Sequence, residues 1–361
     1  MAMKPQQKRA VLAVLMAGVL GLTACAQAGG DEEGAMKFQL ATFVGPTTPY
    51  GEALTQFAEQ IEVDTDSRVS VEIFWDGALL AGDEILDGVG SGRVGMGYVN
   101  PAYNPTNLPL SQLVSIPLQT NDTKAAQAAW NELLQTNTDF AAEWESNNVV
   151  NLGIQSVTPM IISGKDEPTG IDWINGKRLR ATSYTAQAVQ LAGGSPVGLT
   201  INELYESVER GVIDGYTSMN LGTVPSLSLQ EISPYIADPG LGIYSTVGLI
   251  VNQDEFDQLT AGDQDALRAA GTDLGQNYLD VVDRVEDEAC VAIKAAGGSV
   301  TIWDKSEVDA WKDLVGDNLL DSWKSEVGDA GKGADAFATA YAQALKANAT
   351  DSEGALSRCA G

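Results

Sequence analysis

Hydrophobic and polar residues alternate with two different periods along the first two thirds of the chain. Residues 37–44, 69–73 and 94–98 predict strands, because apolar side chains there tend to fall on every second position. Residues 50–61 place their apolar side chains three or four positions apart, which predicts a helix with one buried face. Strand and helix patterns that alternate in this way indicate an α/β protein with mainly parallel sheets.

Longer elements follow in the middle of the chain. Residues 148–157 predict a strand that forms the first crossing between two lobes, and residues 244–252 predict the strand that returns. Thr260 caps a helical pattern that runs to about Ala296; at 1.5 Å per residue this helix would be roughly 54 Å long and could lie across both lobes. The other predicted elements are a helix opened by Asn121–Thr123, a strand at 299–303, and helices at 306–314 and 334–347.

The first residues have the pattern of an export signal. A basic start at residues 4–9 precedes an apolar run, residues 10–21, that is too short to span a bilayer. The tetrapeptide that ends at Cys25, Leu-Thr-Ala-Cys, resembles the bacterial lipoprotein signal, in which the cysteine becomes the acylated first residue. An ordinary signal peptide with an incidental cysteine is the alternative. Residues 26–34, small and acidic, would suit a flexible tether.

Two cysteines remain once Cys25 is assigned to lipid. In an exported protein, Cys290 and Cys359 are expected to form one disulfide, which would pin the C-terminal tail. Two buried free thiols are the alternative. The chain has no CxxC pair, so redox catalysis has no support.

The charge and the missing residue types narrow the function further. The chain carries 49 acidic and 21 basic side chains, a formal net charge of −28, which argues against nucleic acid as a partner. At physiological salt the screening length is about 8 Å, so distant acids would not prevent an anion from binding beside a local cation. The chain contains no histidine, which excludes Ser-His-Asp, Cys-His and histidine-bearing metal sites. No cofactor or metal is expected.

Two other motifs are interpreted as structural. The glycine-rich run 88–95 follows a helical pattern and precedes a strand, the reverse of a dinucleotide-binding loop, so it predicts a helix stop. Acidic pairs such as Asp31/Glu32 and Glu286/Asp287 are expected to be solvated tether or solvated helix faces rather than acid–base pairs.

Arg180 is the most informative side chain. It ends a short alternating segment where a strand should give way to a helix, and there a guanidinium can grip a carboxylate with two parallel hydrogen bonds. Covering a helix end or pairing on the surface is the alternative role. Downstream, Thr200 and Glu203 form a capping box, so Glu203 is expected to be structural, and Asp214 with Gly215 is expected to make a turn.

These landmarks, from Gly176 to Gly215, resemble the solute receptors of TRAP transporters, the tripartite ATP-independent periplasmic carriers of organic acids. Phe74-Trp-Asp-Gly77, the run 92–97 and the proline-containing segment 108–117 fall in the family's order and spacing. The resemblance covers about Lys37 to Lys346. It implies an α/β, two-lobed periplasmic-binding-protein-like fold with mixed, mainly parallel sheets and a long helix spanning both lobes.

The resemblance and the patterns together divide the chain into six expected parts. They are a lipoprotein signal peptide (1–24), a flexible tether (25–36), lobe I (37–157, with 245–260 returning), lobe II (158–244), the long spanning helix (261–297), and a C-terminal strand with helices (298–361).

The resemblance also implies a set of ligand-binding positions, with Arg180 on the ligand's carboxylate. The others that match cleft positions of the family are Thr42, Phe43, Asn100, Tyr103, Met160, Ile201, Ser218 and Asn220. At Met160 many relatives that bind doubly charged or sugar acids have a second arginine. A methionine there removes a charge and adds an apolar wall, so the expected ligand is a monocarboxylate with a partly apolar body.

The expected function is capture of an organic acid outside the cytoplasm and its delivery to the small and large membrane subunits of a TRAP transporter, without catalysis. The receptor would be a lipid-anchored monomer in the periplasm or on the outer face of the cell membrane. One alternative is a secreted hydrolase that uses paired carboxylates. Another is a binding lipoprotein that serves a sensor or an ABC permease.

Overall fold

The computed structural model describes residues 35–329, 333–350 and 354–360. The predicted signal peptide and Cys25 lie outside these residues. Two mixed sheets, each covered by helices, form the described part of the chain. The two-lobed α/β architecture with mixed sheets that the sequence predicts is therefore confirmed.

The first sheet has the strand order β2-β1-β3-β10-β4. Its strands are β1 (Met36–Thr42), β2 (Val69–Phe74), β3 (Met96–Val99), β4 (Val149–Ser156) and β10 (Thr246–Asn252). β1 pairs in parallel with β2 and β3, and β10 runs antiparallel between β3 and β4. The late strand β10 therefore inserts into the sheet of the N-terminal half, which ties the two halves together at their crossing.

The second sheet has the strand order β11-β9-β5-β8-β6-β7. Its strands are β5 (Ile161–Gly164), β6 (Arg178–Arg180), β7 (Ser195–Val197), β8 (Gly215–Met219), β9 (Tyr235–Asp238) and β11 (Ser299–Ile302). β6 pairs in parallel with β7 and β8, so the carboxyl ends of these three strands share one edge. Ligands of open α/β sheets bind at such an edge.

Twelve helices are described. They are α1 (Pro49–Asp64), α2 (Ile85–Gly90), α3 (Thr123–Thr136), α4 (Thr138–Glu145), α5 (Ser183–Leu191), α6 (Leu204–Glu209), α7 (Gln253–Phe256), α8 (Ala261–Ala295), α9 (Lys305–Val315), α10 (Asn318–Asp329), α11 (Ala334–Ala347) and α12 (Ala355–Ala360). The hydrophobic pattern did not predict α10. Its only strongly apolar row, buried at Leu319, Trp323 and Val327, is narrow and recurs every four residues.

The long helix α8 spans both sheets. It begins where the Thr260 hydroxyl accepts a hydrogen bond from the backbone N–H of Asp263 at 3.2 Å, and it continues for 35 residues, or about 53 Å. It packs against α1 and β4 on the side of the first sheet and against β11 and α12 on the side of the second. One continuous helix therefore supports both halves of the molecule.

Two local predictions can be checked directly. Thr200 and Glu203 form the expected capping box, although the helix behind it is a 3-10 turn (Ile201–Glu203) followed by α6. The glycine-rich run does stop a helix: α2 ends at Gly90, and Gly92 adopts a φ of +73°, a conformation that favours glycine.

Cys290 of α8 and Cys359 of α12 are joined by a disulfide that closes a sequence separation of 69 residues. The bond holds α12 on the side of the long helix. No helix among the described residues is both long enough and apolar enough to cross a membrane.

Replacing both cysteines with serine should lower the free energy of unfolding. A crosslink over a loop of this size restricts the unfolded chain by about 4 kcal/mol in the loop-entropy description. Urea unfolding of the wild type and of the Cys290→Ser/Cys359→Ser variant, each with and without reductant, measures the loss. Reductant should destabilise only the wild type; equal midpoints for all four samples would show that the crosslink contributes nothing.

Candidate functional site

The Arg180 side chain is buried at the carboxyl end of β6, with 1% of its surface exposed. Three backbone carbonyls hold its guanidinium. Nε donates to the Leu199 carbonyl at 3.0 Å, and Nη1 donates to the carbonyls of Thr217 and Ser218 at 3.2 and 2.5 Å. These carbonyls come from the chain after β7 and from β8, the two strands beside β6, so the sheet itself aims the guanidinium.

The Arg180 charge has no carboxylate partner among the described residues. The remaining nitrogen, Nη2, meets only the Tyr103 hydroxyl, at the long distance of 3.4 Å. Every other guanidinium contact is to an uncharged carbonyl oxygen. Burying a charge is costly unless an opposite charge or strong hydrogen bonds compensate for it. The arrangement therefore favours binding of an anion at Nη2.

The backbone at Ser218 is held in an uncommon conformation. Its φ is +55°, and its hydroxyl accepts a hydrogen bond from the backbone N–H of Thr182 at 3.2 Å. A serine at positive φ costs free energy and persists where its surroundings fix it. Here the same residue fixes both the Arg180 guanidinium and the start of α5, directly beside the strand end.

An aromatic wall from the first lobe faces this site. The Phe43 ring lies 5.7 Å from the Tyr103 ring and 6.2 Å from the Tyr98 ring, and the Tyr50 ring lies 6.3 Å from the Tyr98 ring. The Tyr103 hydroxyl contacts Arg180 from the opposite lobe. Burial raises the pKa of Tyr103 although the Arg180 charge opposes that shift, so its hydroxyl stays protonated and can donate a hydrogen bond.

A cavity of about 410 Å³ opens beside Arg180, a size suited to a small organic molecule. It is lined by Asp83, Ala102, Tyr103, Ala181, Thr182, Ser183, Ala186, Pro196, Gly198, Leu199, Thr200 and Glu203. The part of the chain that the structure describes contains no cluster of three or more His, Cys, Asp or Glu residues suited to hold a metal ion.

The first residue of α5 connects the two lobes beside the cavity. The Ser183 hydroxyl donates to Gln112 Oε1 at 2.8 Å and lies 2.7 Å from the Ser115 hydroxyl, which belongs to the 3-10 turn Ser111–Ser115. Next to it, the Tyr184 hydroxyl donates to the Glu326 carboxylate of α10 at 2.7 Å. The structure therefore shows the lobes in contact over the site.

Several residues predicted from the sequence lie around Arg180. Tyr103 and Ser218 contact it directly, and Phe43 packs on Tyr103. Met160 is fully buried, with its sulfur 3.5 Å from the hydroxyl of Thr217, whose carbonyl holds Arg180. Ile201 is half-buried and follows Leu199 by two residues.

Two predicted residues each use a side-chain oxygen in hydrogen bonds to the protein itself. The Thr42 hydroxyl is buried and accepts a hydrogen bond from the backbone N–H of Val44 at 3.2 Å. Asn100 caps the turn after β3: its Oδ1 accepts from the Ala102 N–H at 2.9 Å and from the Ser245 hydroxyl at 2.8 Å. These contacts shape the strand ends.

Asn220, another predicted residue, belongs to a buried polar network behind the site. Its Nδ2 donates to the hydroxyls of Tyr50 at 3.3 Å and Thr158 at 3.1 Å. The Thr158 hydroxyl in turn donates to Glu286 Oε1 at 2.5 Å, and the Tyr50 hydroxyl lies 3.3 Å from that of Tyr278. The network joins both lobes to α8 at the point where the chain crosses between them.

The expectation that Glu286 lies on a solvated helix face was wrong, because its side chain is only 4% exposed; its neighbour Asp287 is exposed. Burial raises the pKa of Glu286 to about 7, although the Thr158 hydroxyl and the Gly222 backbone oppose the shift. The spacing of four residues from buried Val282 was the signal that could have placed Glu286 inside.

Four more residues near Arg180 or in the network behind it were not among the predicted site residues: Tyr50, Tyr98, Thr158 and Tyr244. Tyr244 is buried, and the charge of Arg180 lowers its pKa while burial, the larger effect, raises it. An alternating or helical pattern cannot distinguish a buried tyrosine that packs in the core from one that packs beside a ligand site. The carbonyl of Leu199 carries no side-chain signal at all.

Changing Glu286 to glutamine should make the protein less sensitive to high pH. The native pKa of about 7 lies above the ordinary value of 4.5, so the wild type holds this proton more tightly when folded. Its contribution to stability is complete below about pH 4.5 and is lost as the pH rises through 7, by at most about 3 kcal/mol.

Urea unfolding at pH 5 and pH 8.5 tests this. The free energy of unfolding of Glu286→Gln minus that of wild type should be clearly larger at pH 8.5 than at pH 5. For the exposed control Asp287→Asn, this difference should be the same at both pH values. A difference between Glu286→Gln and wild type that is the same at both pH values would contradict the assignment.

The chain is similar to known solute-binding proteins. The profile of the family described as bacterial extracellular solute-binding protein, family 7 (DctP) matches residues 40–325. The ectoine-binding periplasmic protein TeaA of Halomonas elongata is 22% identical over 298 residues, which cover 77% of this chain and 87% of that protein. A monocarboxylate 2-oxoacid-binding periplasmic protein of Nostoc sp. is 23% identical over 305 residues, covering 79% and 80% of the two chains.

The fold is also similar to that of solved structures. A TRAP solute-binding protein from a marine metagenome, specific for aromatic acid ligands and crystallised with 3-hydroxybenzoate, superposes with a TM-score of 0.79 at 18% identity. The alignment covers 87% of this chain and 99% of that one. At this identity the likeness concerns the fold.

Proposed function

The chain belongs to the bacterial extracellular solute-binding protein family 7 (DctP), and we propose that it binds an organic monocarboxylate through Arg180. As a member of this family it is a solute receptor of a TRAP transporter. Proteins of this family and fold are receptors, not enzymes, so the ligand leaves the site chemically unchanged.

The observation that carries the proposal is the buried Arg180 charge without a carboxylate partner among the described residues. Nε and Nη1 already donate to backbone carbonyls, so the guanidinium cannot form the two parallel hydrogen bonds to a carboxylate that the sequence predicts. Only Nη2 is left for the ligand among these nitrogens. The ligand's carboxylate would instead accept from Nη2 and from the Tyr103 hydroxyl, which lie 3.4 Å apart. A charge-assisted hydrogen bond of this kind, shielded from water, is strong.

The side chains packed around Arg180 and Tyr103 favour a ligand with one carboxylate and an apolar body. Met160, where many similar receptors have a second arginine, is buried and offers no positive charge. Phe43 and the tyrosines packed on it supply apolar surface. A second carboxylate buried there without a partner would cost several kcal/mol. The relative whose printed function is binding of monocarboxylate 2-oxoacids supports this choice.

Closure of the two lobes would trap the acid. The chain crosses between the sheets at residues 157–160 and again at 239–245, and α8 lies behind both crossings. Bending there would open the site and separate Ser183 from Gln112 and Ser115, while closing it would remove water from the ion pair. The hydrogen bonds of Ser183 would then stabilise the ligand-bound form.

The location follows from the same proposal. The receptor would work outside the cytoplasm as a monomer, held at the membrane by lipid on Cys25, and would deliver the acid to the small and large membrane subunits of the transporter.

Arg180→Lys should weaken binding of the acid markedly, and Arg180→Ala should nearly abolish it. Lysine cannot reach three carbonyls and a carboxylate at once, and alanine leaves the carboxylate buried and unpaired, at an expected cost of about 2 to 5 kcal/mol. Thermal-shift screening of an organic-acid library identifies the ligand, since a ligand that binds only the native state raises the melting temperature. Calorimetry on the best acid then measures each variant.

Arg178→Lys is the matched control, because Arg178 lies on the same strand but is half-exposed and paired with Asp214 at 2.7 Å. It should bind the acid as tightly as wild type. Neutral sugars or cations as the best hits, or an Arg180→Lys variant that binds as tightly as wild type, would overturn the proposal.

The anchor has a separate test. The mature protein made in a bacterial host that processes lipoproteins should partition with membranes and carry lipid on Cys25. Cys25→Ser should release it or block processing, because the acyl chains would be attached through Cys25 and stable anchoring requires more than one of them. Mass spectrometry of the N-terminus decides the matter: wild-type protein recovered in the soluble fraction with an unmodified cysteine would rule out the anchor.

A further inference from the structure

We propose that the Tyr98 hydroxyl is a specificity-determining group that donates a hydrogen bond to an oxygen on the body of the bound acid. The preferred ligand would then be a monocarboxylate with a hydroxyl or carbonyl group away from its carboxylate. This inference rests on the proposed function, because it assumes that the carboxylate lies on Arg180.

The first observation is that the Tyr98 hydroxyl is buried without a partner. The side chain is 0% exposed, and its oxygen forms no hydrogen bond with any described residue. Buried hydroxyls nearly always have a partner, because leaving one unmade costs free energy. Burial also raises the pKa of Tyr98 well above its ordinary value, so the hydroxyl keeps its proton and acts as a donor.

The second observation places Tyr98 within the aromatic wall that includes Tyr103. Phe43 stacks on it and also packs on Tyr103, the residue that contacts Arg180. On its other side lies Tyr50, whose hydroxyl accepts from Asn220 of the opposite lobe. Tyr98 is therefore linked through its ring neighbours to both first-lobe tyrosines whose hydroxyls contact the second lobe.

The third observation is that the neighbouring tyrosine hydroxyls are already used. Tyr50 shares its hydroxyl with Tyr278 and Asn220, and Tyr103 shares its own with Arg180. Tyr98 keeps a spare donor within the same aromatic wall. A ligand oxygen that reaches it would gain a hydrogen bond and would also remove the cost of an unpaired buried hydroxyl. An acid without that oxygen would leave the cost in place.

A double-mutant cycle between protein and ligand tests the assignment. Calorimetry measures the affinity of benzoate and of its 2-, 3- and 4-hydroxy isomers for wild type and for Tyr98→Phe. Wild type should bind at least one hydroxy isomer about tenfold more tightly than benzoate, the size expected for one buried hydrogen bond. Tyr98→Phe should bind that isomer and benzoate equally.

Tyr341→Phe is the matched control. Tyr341 is also a fully buried tyrosine, but it packs on Trp130 between α3 and α11, away from Arg180. This variant should keep the wild-type preference for the hydroxy isomer. Ligand-free Tyr98→Phe should unfold at the wild-type temperature or above it, since it loses only an unpaired buried hydroxyl.

The outcomes separate the two proposals. Acids that depend on Arg180 but show no hydroxyl preference in wild type, or a preference that survives in Tyr98→Phe, overturn the role of Tyr98 alone. Binding that is unchanged in Arg180→Lys overturns the proposed function. Failure of all four acids to bind overturns the Tyr98 assignment, and the wider acid library then decides whether the proposed function stands.

Discussion

The buried guanidinium of Arg180 is the constraint on which the rest of the site depends. A positive charge with 1% exposure can be kept in the molecule only if its surroundings compensate for the lost hydration. Three backbone carbonyls beside β6 accept hydrogen bonds from the guanidinium and so replace part of its hydration. Nη2 is left beside the Tyr103 hydroxyl. In the proposed function, an anion from outside completes the compensation, and closure of the lobes then traps it. The same contacts would account for ligand charge, ligand position and closure.

A strongly acidic chain can serve an anion because charge acts locally. The formal net charge of −28 is spread over surface that salt screens within about 8 Å, whereas Arg180 acts at contact distance in a buried site. The one acid of the network behind the site, Glu286, is buried and has a pKa of about 7, so it is about half ionised at neutral pH and loses its charge as the pH falls below that. Its link through Thr158 to Asn220 lets α8 support both lobes with less than a full negative charge behind the site.

The sequence predicted those parts of the fold that depend on local pattern. The strand that ends at Arg180, the capping box at Thr200 and the continuous helix after Thr260 all follow from spacing and capping chemistry, and the structure has them. The guanidinium's backbone partners could not be predicted, because a carbonyl such as that of Leu199 has no residue-type signal. Glu286 was misplaced because its charge was weighed more heavily than its helical spacing.

The central claim concerns one contact, so the most direct measurement is a crystal structure of the receptor with its best-binding acid. The account predicts the ligand's carboxylate within about 3 Å of Arg180 Nη2 and of the Tyr103 hydroxyl, with the carbonyls of Leu199 and Ser218 still on the guanidinium. The body of the acid should lie against Phe43. An acid whose carboxylate lies elsewhere, with Arg180 contacting only the protein, would contradict the account.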